Sequence, residues 1–457
     1  MTRRQFTLGA MAASAARGED LPMVKSRRKP TDEWKEYPTR TLDHVAGFRP
    51  GGRAVPTDRY AGRSDRRDRA TGFFYPKKTG GRWWLIDPEG HPYIQAGVCS
   101  LAHGKTQTSE SALKEKFGTP ERWAAATSDF LRGNFFSGSG GWSDVDLLRT
   151  APHRLAYCMM NNFMGGFGRS KSLVHQQPGH LGYPQDAIPV FHPDFEAWCD
   201  QAARPLAANK DDPWLLGHFS DNELPAPADL LDRHLALDGA DPNLAPGLAA
   251  ARKWLAARKG GTGEINADDR EAFRAFVYDR YFALTTRAIR KYDPNHLCLG
   301  PRMHGPFLKS PDLFTAAGRH LDVLALNIYN YWTPPADLMS MWEKQAAKPF
   351  LVTEWYVKGD DAGFKNTTGA GWIVPTQKDR AAFYQSFVLA LLESRACVGW
   401  HWFKYMDNDP EDLHTDPSNR DSNKGMVTIR YEPYRDLVAG MKAINRELYP
   451  LADHFDR

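Results

Sequence analysis

The chain has 457 residues, 42% of them hydrophobic, and a formal net charge of +4. That is apolar material for a large core, with no run long enough to cross a bilayer, and its Lys and Arg are scattered among Asp and Glu, without the basic stripe of a nucleic-acid binder. Aromatic residues reach 12%, with fourteen Trp; indole faces stack on the C–H faces of sugars, so the enrichment leans toward carbohydrate, against the alternative that most of these rings are core.

Arg3 and Arg4, followed by Phe6 and a run of small apolar residues, read as a twin-arginine export leader over 1–16, with Ala13-Ser14-Ala15 as the cleavage site. This predicts a protein exported already folded, periplasmic or secreted, with no stable membrane insertion afterwards. Residues 17–70 are polar and rich in Arg, Asp, Pro and Gly, which predicts an extended or disordered arm. Residues 71–457 read as one domain. It opens on a β-hairpin, 82–86 and 91–94, around the turn signal Asp87-Pro88-Glu89-Gly90.

Eight strand candidates follow: 93–98, 134–137, 154–160, 214–219, 296–300, 323–328, 349–352 and 397–403. Helical periodicity falls between them at 121–131, 194–208, 269–292, 311–317, 338–347 and 377–393, with a last helix at 433–448; only the second interval, about 144–150, is thin. The alternation predicts an α/β chain folded as a (β/α)8 TIM barrel, preceded by the arm and the hairpin. A doubly wound open sheet is the runner-up, and its glycine fingerprint is missing after the first strand. The connection 224–268 is long, holds a helical piece at 248–258 and a flexible 260–263, and is expected to line or close a site. All five cysteines lack Cys-x-x-Cys spacing, four of them lie in apolar strand-like runs, and burial is the favoured reading.

Two carboxylates stand where strands meet loops. Glu223 follows the fourth strand in Phe-Ser-Asp-Asn-Glu, and Glu354 follows the seventh in Leu-Val-Thr-Glu-Trp. In a parallel barrel the catalytic groups sit at these carboxyl-terminal ends. Two acids facing each other across a cleft are what glycosidic cleavage requires, one to protonate the leaving oxygen and one to attack or to order water. Asn222 is placed to hydrogen-bond a sugar 2-hydroxyl, Tyr329 to donate to Glu354, and Trp402 to floor the pocket. Loop residues Trp142, Trp332, Trp355 and Trp372 are candidate sugar platforms, and His304 is a candidate substrate contact. Arg302, Lys358 and Lys404 are placed to read a sulfate or acidic sugar, with a solvated rim as the alternative. Neither His-x-His after the first strand nor His-Glu-x-x-His occurs, so no metal or other cofactor is expected.

This order of parts resembles the clan A glycoside hydrolases, and more closely the family 50 β-agarases. The likeness rests on GRWWLIDPEG (81–90), LRGNFFS (131–137) with WSD (142–144), WLLGHFSDNE (214–223), WYVK (355–358), TTGAGWIVPTQ (367–377), GWHWFKYMDND (399–409) and SNKGM (422–426). The resemblance implies retaining cleavage of β-linked galactose in agar-type galactans, with a polysaccharide or oligosaccharide as the binding partner. Glu223 would be acid/base, Glu354 the nucleophile, and Asp144 of the WSD stretch part of the substrate-binding set. Retention implies carboxyl groups about 5–5.5 Å apart. Residues 17–70 are too few and too polar to stand in for the amino-terminal carbohydrate-binding region of many members. A clan A hydrolase for another β-linked glycan, sulfated galactan or arabinogalactan, and a catalytically silent carbohydrate-binding barrel are the competing readings.

Overall fold

The computed structural model describes residues 21–457 apart from 261–263 and 416. The expected leader and part of the flexible 260–263 stretch lie outside the described residues. Eight parallel strands form one sheet: β1 (Gln95–Val98), β2 (Gly138–Ser139), β3 (Ala156–Met160), β4 (Leu215–Phe219), β5 (Leu297–Gly300), β6 (Leu324–Asn327), β7 (Phe350–Glu354) and β8 (Cys397–Trp402). Their order is β5-β4-β3-β2-β1-β8-β7-β6. The two ends meet where Met303, just past β5, bridges Leu326 of β6. The result is a nearly closed TIM-like barrel.

The strands form because their residues are buried on both faces, so apolar runs continue without alternation. β4 reads Leu-Leu-Gly-His-Phe and β7 Phe-Leu-Val-Thr-Glu, every residue buried. An inner cluster containing Ala156, Cys158, Leu216, Leu299, Ala325, Leu351 and Val398 fills the barrel. Tyr60 from the arm, Phe74 and Leu85 from the hairpin region, and Tyr93 join that cluster. Because they precede β1, they stop the amino-terminal mouth, and the opposite end is left for a site.

The expected strand at 134–137 is displaced. Asn134 Nδ2 donates to Phe130 O at 2.7 Å, Phe135 takes a positive φ of 59°, and pairing starts only at Gly138. Those residues finish the preceding helix, Pro120–Gly133. The hairpin gains a third strand, since Arg82–Ile86 pairs with both Tyr75–Thr79 and Pro92–Tyr93. Gly80 and Gly81, with φ of 61° and 82°, supply its tight turn. All five cysteines are buried and unpaired. No described helix is long and apolar enough to cross a membrane.

From residue 21 the arm is packed on the barrel. Met23–Ser26 pairs with Lys35–Pro38, and Arg27 bridges Ile373. Tyr37 stacks on Trp332 with ring centroids 5.1 Å apart, and it meets Trp372 edge-on at 4.9 Å.

Candidate active site

A cleft of about 850 Å³ opens at the carboxyl-terminal end of the barrel, lined by Glu223 and Glu354 together with Trp142, His180, His304 and Tyr329. Glu354 is the last residue of β7. Glu223 lies four residues past β4, on a segment pinned from several sides. Asp221 accepts hydrogen bonds from Met164 N and Gly165 N, both at 2.9 Å, and from Tyr281 Oη at 2.7 Å. Glu223 N donates to Pro301 O at 2.9 Å. Trp142, Glu223 and Arg302 all carry positive φ, 57°, 51° and 52°. Each such residue costs about 1–3 kcal/mol, a strain tolerated where the surrounding structure aims a functional side chain.

The two acids have different surroundings. Arg302, with no exposed surface, pairs its Nη2 with Glu354 Oε1 at 2.8 Å, and the Tyr329 hydroxyl donates to Glu354 Oε2. Glu223 instead receives one neutral donor, Asn327 Nδ2, at 2.8 Å. Thr353 Oγ1 donates to Asn327 Oδ1 at 2.7 Å, which fixes the amide so that its NH2 faces the acid. The imidazole Nδ1 of His180 stands 4.0 Å from Glu223 Oε2. Burial raises both carboxyls above the ordinary range, Glu354 to about 7. Against burial, Arg302 and Tyr329 favour the ionised form at Glu354.

Arg302 is the hub of the site, a role the reading as a rim charge did not anticipate. Besides Glu354 it donates to Asn222 Oδ1 at 3.0 Å and Thr353 O at 2.8 Å. Its guanidinium lies 4.1 Å from the Trp142 ring centroid. Trp142, 41% exposed, is thus held as a platform on the cleft wall. Phe403 and Tyr356 line the cleft as well.

Several expected contacts are not brought into the cleft. Trp402 has no exposed surface and donates its indole N–H to Lys424 O at 3.1 Å. Trp355 is equally buried, stacked on Phe387 at 4.2 Å. Trp332 and Trp372 grip the arm through Tyr37, and Arg28 covers the Trp372 ring at 3.8 Å. Asp144 accepts from His103 N and Nδ1, at 3.1 and 2.6 Å. Lys404 is turned to Asn408. Lys358 donates to the carbonyls of Asn366, Thr368 and Gly369. In each case the side chain is packed against, or bonded to, another part of the protein. The described residues of the 224–268 connection do not line the cleft either; they pack on the helix Ala267–Tyr292, with Trp254 against Phe273 at 5.2 Å.

Asn327, His180 and Lys309 are among the lining residues that went unread in the sequence. Asn327 was legible, because period-two alternation puts it on the same face as Tyr329. His180 was not, since it sits on a ribbon of two three-residue strands, His175–Gln177 and His180–Gly182. Lys309 ends the short helical turn Gly305–Lys309 after β5.

Two outcomes follow from this placement. Trp355→Ala should cost about 3–5 kcal/mol of stability, read as a lower urea midpoint, with the KM of the residual folded enzyme unchanged; a KM effect without destabilisation would return Trp355 to the sugar. Arg28 Nη1 donates to Tyr329 O and its Nη2 to Asn330 O, both at 3.3 Å, so the arm tethers the loop carrying the phenol. Arg28→Ala should therefore lower kcat by roughly 10- to 100-fold with a smaller change in KM. A wild-type kcat would reduce the arm to a wrapping.

No family model matches the chain. Beta-agarase B of Vibrio sp. (strain JT0107) is 25% identical over 486 residues, covering 84% of this chain and 49% of that protein. Beta-agarase A of the same strain is 29% identical over 178 residues, covering 37% and 17%. The chain thus spans half or less of the curated relatives it matches. The crystal structure of BpGH50 is 28% identical with a TM-score of 0.83, covering 96% of both chains. The structure of an agarase, AgWH50C, shares the fold at 20% identity, with a TM-score of 0.70 over 87% of this chain and 66% of that one. By sequence and by fold, this chain is similar to glycoside hydrolases of the agarase type.

Proposed function

We propose that this protein hydrolyses β-galactosidic linkages of agar-type galactans with retention of configuration, as a clan A enzyme. One observation carries the reading: two buried glutamates line one cleft, and only Glu354 has both a cationic and a phenolic donor. Ionised Glu354 attacks the anomeric carbon while Glu223 gives its proton to the departing glycosidic oxygen. Glu223, now ionised, then takes a proton from water, which displaces Glu354 from the glycosyl ester. Trp142 and Phe403 offer faces for the sugar rings.

A neutral galactan fits better than a sulfated one. Among the described residues lining the cleft, Lys309 is the one ammonium, and Lys358 and Lys404 are spent on protein oxygens. Export through the twin-arginine leader belongs to the same proposal, because the polymer lies outside the cell. Arg3→Lys with Arg4→Lys should hold the protein in the cytoplasm, as read by fractionation.

The test is release of reducing sugar from agarose, porphyran, carrageenan and arabinogalactan, with the first-formed anomer read by NMR. Agarose should respond most, and the β anomer should appear first. Turnover confined to arabinogalactan would replace the substrate, and initial α product would remove retention.

A further inference from the structure

The acid assigned to proton transfer has two imidazole neighbours. His180, Glu223 and His304 each offer one ligand-capable atom, and those atoms all lie within 4.8 Å of one another. The rings of His180 and His304 are 5.4 Å apart at their centroids. His304 Nδ1 is buried with no hydrogen-bond partner, which leaves a polar atom unsatisfied in a polar cleft.

We propose that His180, Glu223 and His304 form a binding site for a divalent transition ion of the zinc class, and that an ion bound there blocks the cleft and silences turnover. The inference rests on the reading of Glu223 as the acid/base. Two imidazoles and one carboxylate make a three-ligand set that leaves a fourth position open, here toward the cleft. Nitrogen ligands select zinc, copper, nickel or cobalt over magnesium and calcium. Bonds near 2.0–2.1 Å require ligand atoms about 3.3 Å apart, so the three atoms must close from their present spacing. His180 is carried on the ribbon His175–Gln177 and His180–Gly182, a sheet separate from the barrel, and it must move to meet the others.

The electrostatics favour the ion. Arg302, the nearby cation, is neutralised by Glu354, and Glu223 contributes the remaining negative charge. Binding displaces the carboxyl proton of Glu223 into solvent. The enzyme then has no proton to give the leaving oxygen, and the ion occupies the space of the scissile bond.

Two other clusters lack these properties. In His218–Asp293–His296 every side chain is fully buried and Asp293 is bonded to both rings. In Asp58–Glu89–His91, Asp58 is spent on His91 and Glu89 on Arg59.

The experiment is equilibrium dialysis of the whole protein against zinc chloride, with cobalt(II) as a visible-spectrum probe, beside steady-state inhibition and its reversal by chelator. One ion per chain is expected, with d–d bands of a mixed nitrogen and oxygen site, inhibition competitive with substrate, and full recovery on chelation. His304→Ala and His180→Ala, checked for fold by circular dichroism, should each weaken binding by about tenfold or more. Absence of stoichiometric binding, or binding that both variants leave unchanged, would overturn the site. Zinc binding that the His variants abolish but that leaves turnover uninhibited would overturn the silencing, and full turnover by Glu223→Gln would separately remove the acid/base reading.

Discussion

Glu354→Gln is expected to cut kcat by on the order of 10⁴–10⁶, the range that loss of a nucleophile costs hydrolases, while an agar oligosaccharide still binds. Glutamine keeps the shape and loses the anion. Its single carbonyl oxygen can accept from Arg302 or from Tyr329, and its NH2 must face the other donor, so the site loses charge and a hydrogen bond together. Single-turnover kinetics beside calorimetric binding read the two effects separately. The companion variant, Glu223→Ala, removes the proton donor and should cost about 10²–10⁴ on substrates with poor leaving groups. On an activated aryl glycoside, azide should restore turnover and yield a β-glycosyl azide, because it enters the face that water uses. Comparable rates for Glu354→Gln and the parent would remove the nucleophile assignment, and an α-glycosyl azide from Glu223→Ala would show that the enzyme inverts or that the roles are exchanged.

Arg302→Met carries the second large effect. Arg302 favours the ionised form of Glu354, and removing it leaves burial to raise that carboxyl further. The nucleophile must be ionised to attack, so the acidic limb of the kcat/KM profile should move to higher pH by about 1–3 pH units. The basic limb, which reports loss of the proton on Glu223, should move less, and the bell should narrow. Stability should fall as well, by about 3–5 kcal/mol, because a buried carboxylate loses its partner; urea titration below and above neutrality would show it, with the larger loss at high pH, where Glu354 is charged. An unmoved acidic limb would mean that Arg302 does not set the charge on Glu354.

Strand positions were legible because parallel barrel strands are buried on both faces and read as short apolar runs. β4, β6, β7 and β8 emerge close to where the sequence put them. The displaced β2 shows the limit, since Phe135 and Phe136 look like strand but serve a helix exit and a turn. The position of Glu223, Tyr329 and Glu354 on the cleft was legible because each lies at the end of such a run or just past it. The aromatic platforms could not be sorted in the same way. Indole chemistry is identical whether the ring meets a sugar, Phe387 or Tyr37.

Composition and local pattern were therefore enough to specify the alternation of strands and helices, and the two acids at strand ends, because burial on both faces leaves its mark residue by residue. The tertiary structure alone decided which side chains share the cleft. It made Arg302 the counter-ion of Glu354, drew His180 to Glu223 from a separate ribbon, and committed Trp332 and Trp372 to the arm. Those outcomes depend on distances between segments far apart in the chain, and on which buried polar group finds a partner first.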